Sequence, residues 1–315
     1  MYRDLYESSH PDVARLLDNV GYSYDKLGHA RKGLEYRLQA LQMYRDLHKF
    51  SHPDVARVLN NVGDSYDKLG DARKGLECRL QALEMCGDLY KGSHPDVARV
   101  LNNVAYSYDN LGDARKGLEC RLQALEMCGD LYKGSHPDVA KVLDNVGYSY
   151  DKLGDARKAL EYRLQALEMC RDVYKVSHPD VARVLNNVGD SYDKLGDARK
   201  ALEYRLQAKE MYRDLYKVSH PDLARLLDNV GGSYDKLESA QRGLKFDAEG
   251  IEICQNLSKL SHPDVGRSSN DMVCSYDAVK EAQQELEYGV EESGLYGDLN
   301  SGSHPVFAGS LINVG

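Results

Sequence analysis

Serine, histidine and aspartate, the side chains of a hydrolytic triad, stand together in a tetrapeptide that recurs through this chain. Ser-His-Pro begins at Ser9, Ser51, Ser93, Ser135, Ser177, Ser219, Ser261 and Ser303, each start 42 residues after the last, and aspartate follows in all but the eighth copy. A triad needs side chains that converge in one pocket, with the base oriented by a third group. Sequence neighbours repeated at a fixed interval do not provide that convergence, so no catalytic residue is expected. The same residue types have a direct structural use. Ser51 can act as a helix N-cap with Asp54 three residues on in a capping-box-like place, and Pro53 falls in the first turn, where its missing N–H costs nothing. The acidic group also suits the positive end of the helix dipole.

Other chemistry fares no better. Stacked His52, His94 and His136 could form a ladder, but side chains one repeat apart are too distant to share a metal bound at about 2 Å, so no metal site is expected. His-Pro-Asp is also the tripeptide of J-domains. There it occurs once, in a loop after a basic helix; here it opens seven helices. Phosphate-binding loops, dinucleotide-binding glycine patterns and HExxH are absent from the sequence, and no cofactor is expected. The seven cysteines follow the repeat. Cys78 and Cys120 share a position with Tyr36, Tyr162 and Tyr204; Cys86, Cys128, Cys170 and Cys254 share another with Tyr44 and Tyr212. A residue that alternates with tyrosine fills space, so these read as reduced packing thiols.

The formal charge is −9 and the pI about 5.6. Lysine and arginine are interleaved with aspartate and glutamate in every unit, which argues against the basic face of a nucleic-acid binder. No apolar run approaches the roughly 18 residues that span a bilayer, and MYRDLYESSHPD lacks the apolar core of a signal peptide. A soluble cytoplasmic protein without membrane insertion is expected.

These side chains must be positioned by a stacked array. In the unit Ser51 to Gly92, the residues Val55, Val58, Leu59, Val62, Tyr66 and Leu69 recur at helical spacing. Gly70 ends this first helix, and Asp71 caps a second one bearing Ala72, Leu76, Leu80, Ala82, Leu83, Met85 and Leu89, which Gly92 closes. No useful run alternates with period two, so no strand is expected. Gly63, Gly75 and Ala82 mark close backbone approaches. Gly75 becomes Ala159 and Ala201, so smallness matters there. Gly87 and Gly129, late in second helices, are unexplained by the pattern and should weaken those helices.

Leu59, Val62, Gly63, Tyr66, Gly70, Gly75 and Ala82 have the relative spacing of the tetratricopeptide repeat. The 42-residue period, the Leu-Asn-Asn-Val run and the His-Pro-Asp-Val-Ala opening resemble the longer variant found in kinesin light chains and nephrocystin-3-like proteins. The resemblance implies an all-α solenoid of antiparallel helix hairpins, 1–315 forming a single array. One departure is clear: Arg79, Arg121, Arg163 and Arg205 stand where the second helix usually carries a large apolar residue, which puts its packing in doubt.

The resemblance also implies a concave face lined by first helices, on which a protein or extended peptide lies. The groove positions are Arg57, Asn60, Asn61, Asp64, Asp67 and Lys68 with their 42-residue equivalents. An acidic row runs through Asp67, Asp109, Asp151 and Asp193; a basic row through Arg57, Arg99, Lys141 and Arg183; an amide row through Asn61, Asn103, Asn145 and Asn187, whose amides can pair with a peptide main chain. Asp64, Tyr106, Tyr148 and Asp190 share the most variable column, which either tunes partner choice or drifts. The expected function is a non-catalytic scaffold or adaptor. The alternatives are a regulatory repeat region of a larger NTPase-type signalling protein and a decaying repeat fragment without a selected partner.

Residues 1–8 copy the end of a second helix and 303–315 the start of a first, so the chain is expected to be a fragment with truncated repeats at both ends. Six regular repeats are expected over 9–260. The repeat at 261–302 carries Glu285 and Glu292 where glycine or alanine belongs and should pack loosely.

Overall fold

The computed structural model describes residues 10–48, 51–216 and 220–259. Helices, and no strands, form the regular structure of these residues. They pair as α1 (Pro11–Lys26) with α2 (Ala30–Leu47), α3 (Pro53–Lys68) with α4 (Ala72–Leu89), α5 (Pro95–Asn110) with α6 (Ala114–Leu131), α7 (Pro137–Lys152) with α8 (Ala156–Val173), α9 (Pro179–Lys194) with α10 (Ala198–Leu215) and α11 (Pro221–Asp235) with α12 (Ala240–Lys259). The result is an all-α solenoid of hairpins with the expected period. The degenerate repeat at 261–302 and the partial repeats at 1–8 and 303–315 lie outside the described residues.

Each first helix opens at its proline, but the cap is the histidine and not the serine. His52 is extended (φ −139°, ψ 139°) and its Nδ1 accepts the Asp54 N–H at 3.2 Å. The same bond forms at His10, His94, His136, His178 and His220. With proline at the first helical position, the residue just before it is the N-cap, so the serine sits one place too early. Its hydroxyl turns instead to the second helix of its own unit: Ser93 donates to Asp130 at 2.9 Å and Ser135 to Asp172 at 3.1 Å. The capping imidazole also stacks on the residue that ends the preceding helix, with centroids 3.5 Å apart for Tyr90–His94, Tyr132–His136 and Tyr174–His178.

First helices stop as expected. Gly70 takes φ +81° and its equivalents Gly28, Gly112, Gly154 and Gly196 do the same, a conformation glycine adopts without steric cost. Asp71 then caps α4 by accepting the Lys74 N–H at 3.2 Å. The second helix ends differently from expectation. Tyr90, in extended conformation at φ −118°, closes α4, and Gly92 needs no left-handed turn.

Within a hairpin the backbones touch at Gly63 and Gly75. A Cβ on Gly63 would come within 3.0 Å of the Gly75 carbonyl oxygen and 3.1 Å of Arg79 Cγ. Ala159 and Ala201, at the equivalent of Gly75, are fully buried, consistent with a need for a small side chain. Between hairpins, α4 packs on α3 and on α5, and this alternation continues along the array. First helices also touch each other directly, α3 to α5, α5 to α7 and α7 to α9, which places them on the inside of the curve. The core of the described residues is one long cluster including Val55, Val58, Leu59, Val62, Ala82 and Cys86, with Ala224 and Cys254 of the sixth hairpin in a small separate cluster.

The sixth hairpin already departs from the pattern. Glu238 stands where the other units have the turn glycine and carries φ 57°. Asp247 replaces the arginine of the other second helices.

Candidate partner-binding groove

The arginines that break the family pattern organise the interior. Arg79 is 2 % exposed, with its guanidinium on Asp67 Oδ2 at 2.7 Å, on Asp64 Oδ1 at 2.5 Å, and on Ser107 Oγ in the next unit. Arg37 makes the same cross-unit contact, reaching Asp25 at 2.5 Å and Ser65 at 2.6 Å, and Arg121, Arg163 and Arg205 pair with Asp109, Asp151 and Asp193 at 2.6 Å. Each arginine thus joins both helices of its unit to the first helix of the next. Its long side chain fills the apolar site with methylenes and carries its charge to a buried carboxylate.

This corrects the acidic row. Asp67, Asp109, Asp151 and Asp193 were expected to line the groove, but their side chains are only 11 %, 2 %, 4 % and 10 % exposed. They are largely buried counter-ions of the arginines, and of the four only Asp151 and Asp193 also line the cleft described below. Burial pushes the Asp67 carboxyl above its ordinary range, with Arg79 opposing that push. Lys68, Lys194 and Lys236 lean over the same network from the next unit and reach Asp25, Asp151 and Asp193 at 3.3, 3.0 and 3.0 Å. The other charged group of the variable column, Asp190, meets Arg205 at 2.6 Å.

The amide row forms a ladder within the array. Asn103 Nδ2 donates to Asn60 Oδ1 at 2.9 Å and Asn145 Nδ2 to Asn102 Oδ1 at 2.8 Å; Asn61 and Asn187 donate to the carboxylates of Asp18 and Asp144. Asn60, expected in the groove, is buried as an acceptor in this ladder. Each amide of the row thus spends its Nδ2 on the neighbouring unit.

The ladder divides the basic row, a point sequence reading missed. Where the preceding unit supplies aspartate, the arginine folds onto it: Arg57 pairs with Asp18 at 2.5 Å, and Arg183 pairs with Asp144. Where it supplies asparagine, the cation stays outside. Arg99 is 46 % exposed on its own Asp96, and Lys141 is exposed. The signal lay in the alternation Asp18, Asn60, Asn102, Asp144, Asn186, one residue ahead of the amide row.

Tyr106 and Tyr148 in the variable column are 50 % and 39 % exposed. Tyr148 lies under Lys152 and Arg121, each 5.4 Å from its ring centroid. Around Tyr148 a cleft of about 690 Å³ opens on the first-helix face from α7 to the end of α11. It gathers the expected groove residues Asn145, Tyr148, Asp151, Arg183, Asn187, Asp190 and Asp193, with Lys152, Lys194 and Lys236 at the equivalents of Lys68 and Asp144 at that of Asn60, and adds Arg163 and Arg205 from second helices. The groove residues of α3 and α5 do not line it.

Cysteines behave as packing groups. The described ones are free thiols, and burial raises Cys86 and Cys128 and pushes Cys170 up to about 11, away from thiolate chemistry. Tyr36 stacks on Tyr24 at 5.3 Å and Tyr162 on Tyr150 at 5.4 Å, at the position Cys78 and Cys120 take in their units. His48, His52 and Asp54 bring ligand atoms within 4.8 Å of one another. His52 Nδ1 is engaged by the Asp54 N–H, and the two imidazoles stack in parallel 3.4 Å apart, which aims their lone pairs side by side rather than at one ion. Among the described residues no helix is long and apolar enough to cross a membrane.

The tetratricopeptide repeat profile matches residues 54–116, 96–172 and 152–214, together just over half of the chain. The chain belongs to the tetratricopeptide repeat family. No sequence among curated proteins matches it. Among solved structures, nearly identical repeats of a putative kinesin light chain from Podosopora anserina share the fold at 16 % identity and TM-score 0.57, covering 66 % of this chain and 99 % of that one. BtubC (BKLC) from P. vanneervenii does so at 20 % identity and TM-score 0.59, covering 77 % and 92 %. A Rap protein complexed with competence and sporulation factor aligns at 16 % identity and TM-score 0.56, covering 82 % and 74 %.

Proposed function

We propose that the protein is a non-catalytic scaffold that binds an acidic, extended peptide segment of a partner protein along the first helices of its fourth to sixth hairpins. One observation carries the reading. The cleft centred on Tyr148 is lined by six cationic and four anionic side chains, a local positive excess in a chain of charge −9. Lys152, Lys194 and Lys236 follow one another at 42-residue spacing, so an extended peptide with spaced carboxylates meets a row of ammonium groups. The Asn145 and Asn187 oxygens accept main-chain N–H groups irrespective of sequence, and Tyr148 offers an aromatic surface for an apolar side chain. The family relationship and the likeness to a Rap protein solved with a bound signalling factor support a peptide-binding role.

Selection of displayed random peptides on the full chain, followed by calorimetry, tests this. The expected outcome is enrichment of acidic sequences, affinity that falls with salt, and at least a tenfold loss in Lys152→Gln/Lys194→Gln with unchanged helicity. Selection of basic peptides, or unchanged affinity with crosslinks on second-helix residues such as Glu84, would place binding elsewhere.

A further inference from the structure

Gly87 and Gly129 have no role in packing: a Cβ added at either would meet nothing within 4 Å. In the first, fourth and fifth units the same position is Arg45, Arg171 and Arg213. Two of these show what the side chain does. Arg171 donates to Gln207 Oε1 at 3.2 Å and Arg213 pairs with Glu249 at 2.7 Å, each reaching 36 residues on, to the second helix of the next unit. The residue 36 positions beyond Gly87 is Gln123. It lines a groove of about 410 Å³ between α4 and α6, together with Gly87, Gly92, Glu126, Met127 and Asp130. No cation lines this groove. Gly92 and Gly134 likewise stand where other units have Phe50, Val176 and Val218, and Val176 projects into solvent, 78 % exposed. Two consecutive units therefore lack both the bridging arginine and the bulky apolar residue five positions after it, while carrying the glutamine that would accept from that arginine.

We propose that this outer groove docks an arginine side chain of a partner protein, which takes in trans the place that Arg171 and Arg213 fill in cis. Its guanidinium would donate to Gln123 Oε1 and to the carboxylates of Glu126 and Asp130, the latter held by the Ser93 hydroxyl at 2.9 Å. The planar fork of donors suits such a set, and its methylene stem suits Met127. The proposed acceptors Gln123, Glu126 and Asp130 all lie on α6 and none lines the concave cleft, so the site stands independently of it. Gly129, Gly134, Gln165, Glu168 and Asp172 repeat the residue set one unit on. A partner segment with two arginines gains the second contact intramolecularly.

The test uses the full chain and a fluorescein-labelled peptide of alternating arginine and leucine, read by fluorescence anisotropy, with a glutamate-for-arginine counterpart. Gly87→Arg/Gly129→Arg fills both positions in cis and should weaken binding at least tenfold without lowering the melting temperature. Gly87→Ala/Gly129→Ala leaves the groove open and should bind as the parent does. Gln39→Arg/Val176→Arg adds the same charge elsewhere and should bind within twofold of the parent. The proposal is overturned if the parent does not bind the arginine peptide, if the glutamate peptide binds equally, if the filled variant keeps its affinity, or if the charge control loses as much as the filled variant.

Discussion

Arg121 shows how a single residue holds two units together. It is 3 % exposed and meets Asp109 in its own unit and Ser149 in the next. Truncating one partner of a buried ion pair strands the other charge, at a cost of about 3–5 kcal/mol. Arg121→Met should cost that much in urea unfolding, and Asp109→Asn added to it should recover part of the loss. No recovery would mean that the loss does not come from a stranded Asp109 charge. In the sixth unit the same position is Asp247, whose carboxyl is pushed up to about 6 by burial and by Asp228 and Asp235. A raised acid binds its proton more tightly in the folded state, so its destabilisation grows as pH rises from about 4 to 6 and persists above. The α11–α12 hairpin should therefore exchange amide hydrogens more slowly at pH 5 than at pH 7.5, after correction for intrinsic rates. Asp247→Asn should remove that dependence and add about 1–2 kcal/mol at neutral pH, allowing for solvent screening. An unchanged pH dependence in Asp247→Asn would assign it to other groups.

At the scale of the helix, the histidine does the work expected of the serine. His94 caps α5 at 3.2 Å and stacks on Tyr90. A cap contributes about 1 kcal/mol, and ring stacking about as much. His94→Ala should thus lower stability by about 1–2 kcal/mol and speed exchange of the Asp96 amide. Ser93→Ala removes only an exposed bond to Asp130 and should cost less than about 0.5 kcal/mol. Paired thermal melts decide between them; a larger loss for the serine variant would return the cap to it.

At the scale of the molecule, each hairpin contacts only its neighbours, so stability is distributed along the array. Deleting Ser93–Gly134 joins the second unit to the fourth with matching surfaces. Asn145 would then meet Asn60 in place of Asn102, and Arg79 would meet Ser149 in place of Ser107. That deletion should leave a cooperatively melting helical protein. Deleting only Ser93–Gly112 sets α6 directly on α4, leaves Arg79 without its serine, and should abolish cooperative melting. Equal melting of the two would refute the unit boundaries.

The 42-residue period, the hairpins, the turn glycines and the thiols that trade with tyrosine were legible in the sequence, because they follow from local backbone geometry and from side-chain size. The resemblance also directed attention to the first-helix face, where the structure has a cleft. What the sequence did not reveal is which polar residues face outward. Asp67 and Lys68 are adjacent, both charged and both repeated, yet one side chain is an 11 % exposed counter-ion and the other is 43 % exposed. Spacing along one helix gives a residue's direction around that helix only. The burial of Asp67 depends on Arg79, twelve residues on. The freedom of Arg99 depends on the asparagine at Asn60, 39 residues back, whereas Arg183 is tied because Asp144 stands at that distance. Those partners are brought together only by stacking, so the electrostatics of the groove were decided by the tertiary structure.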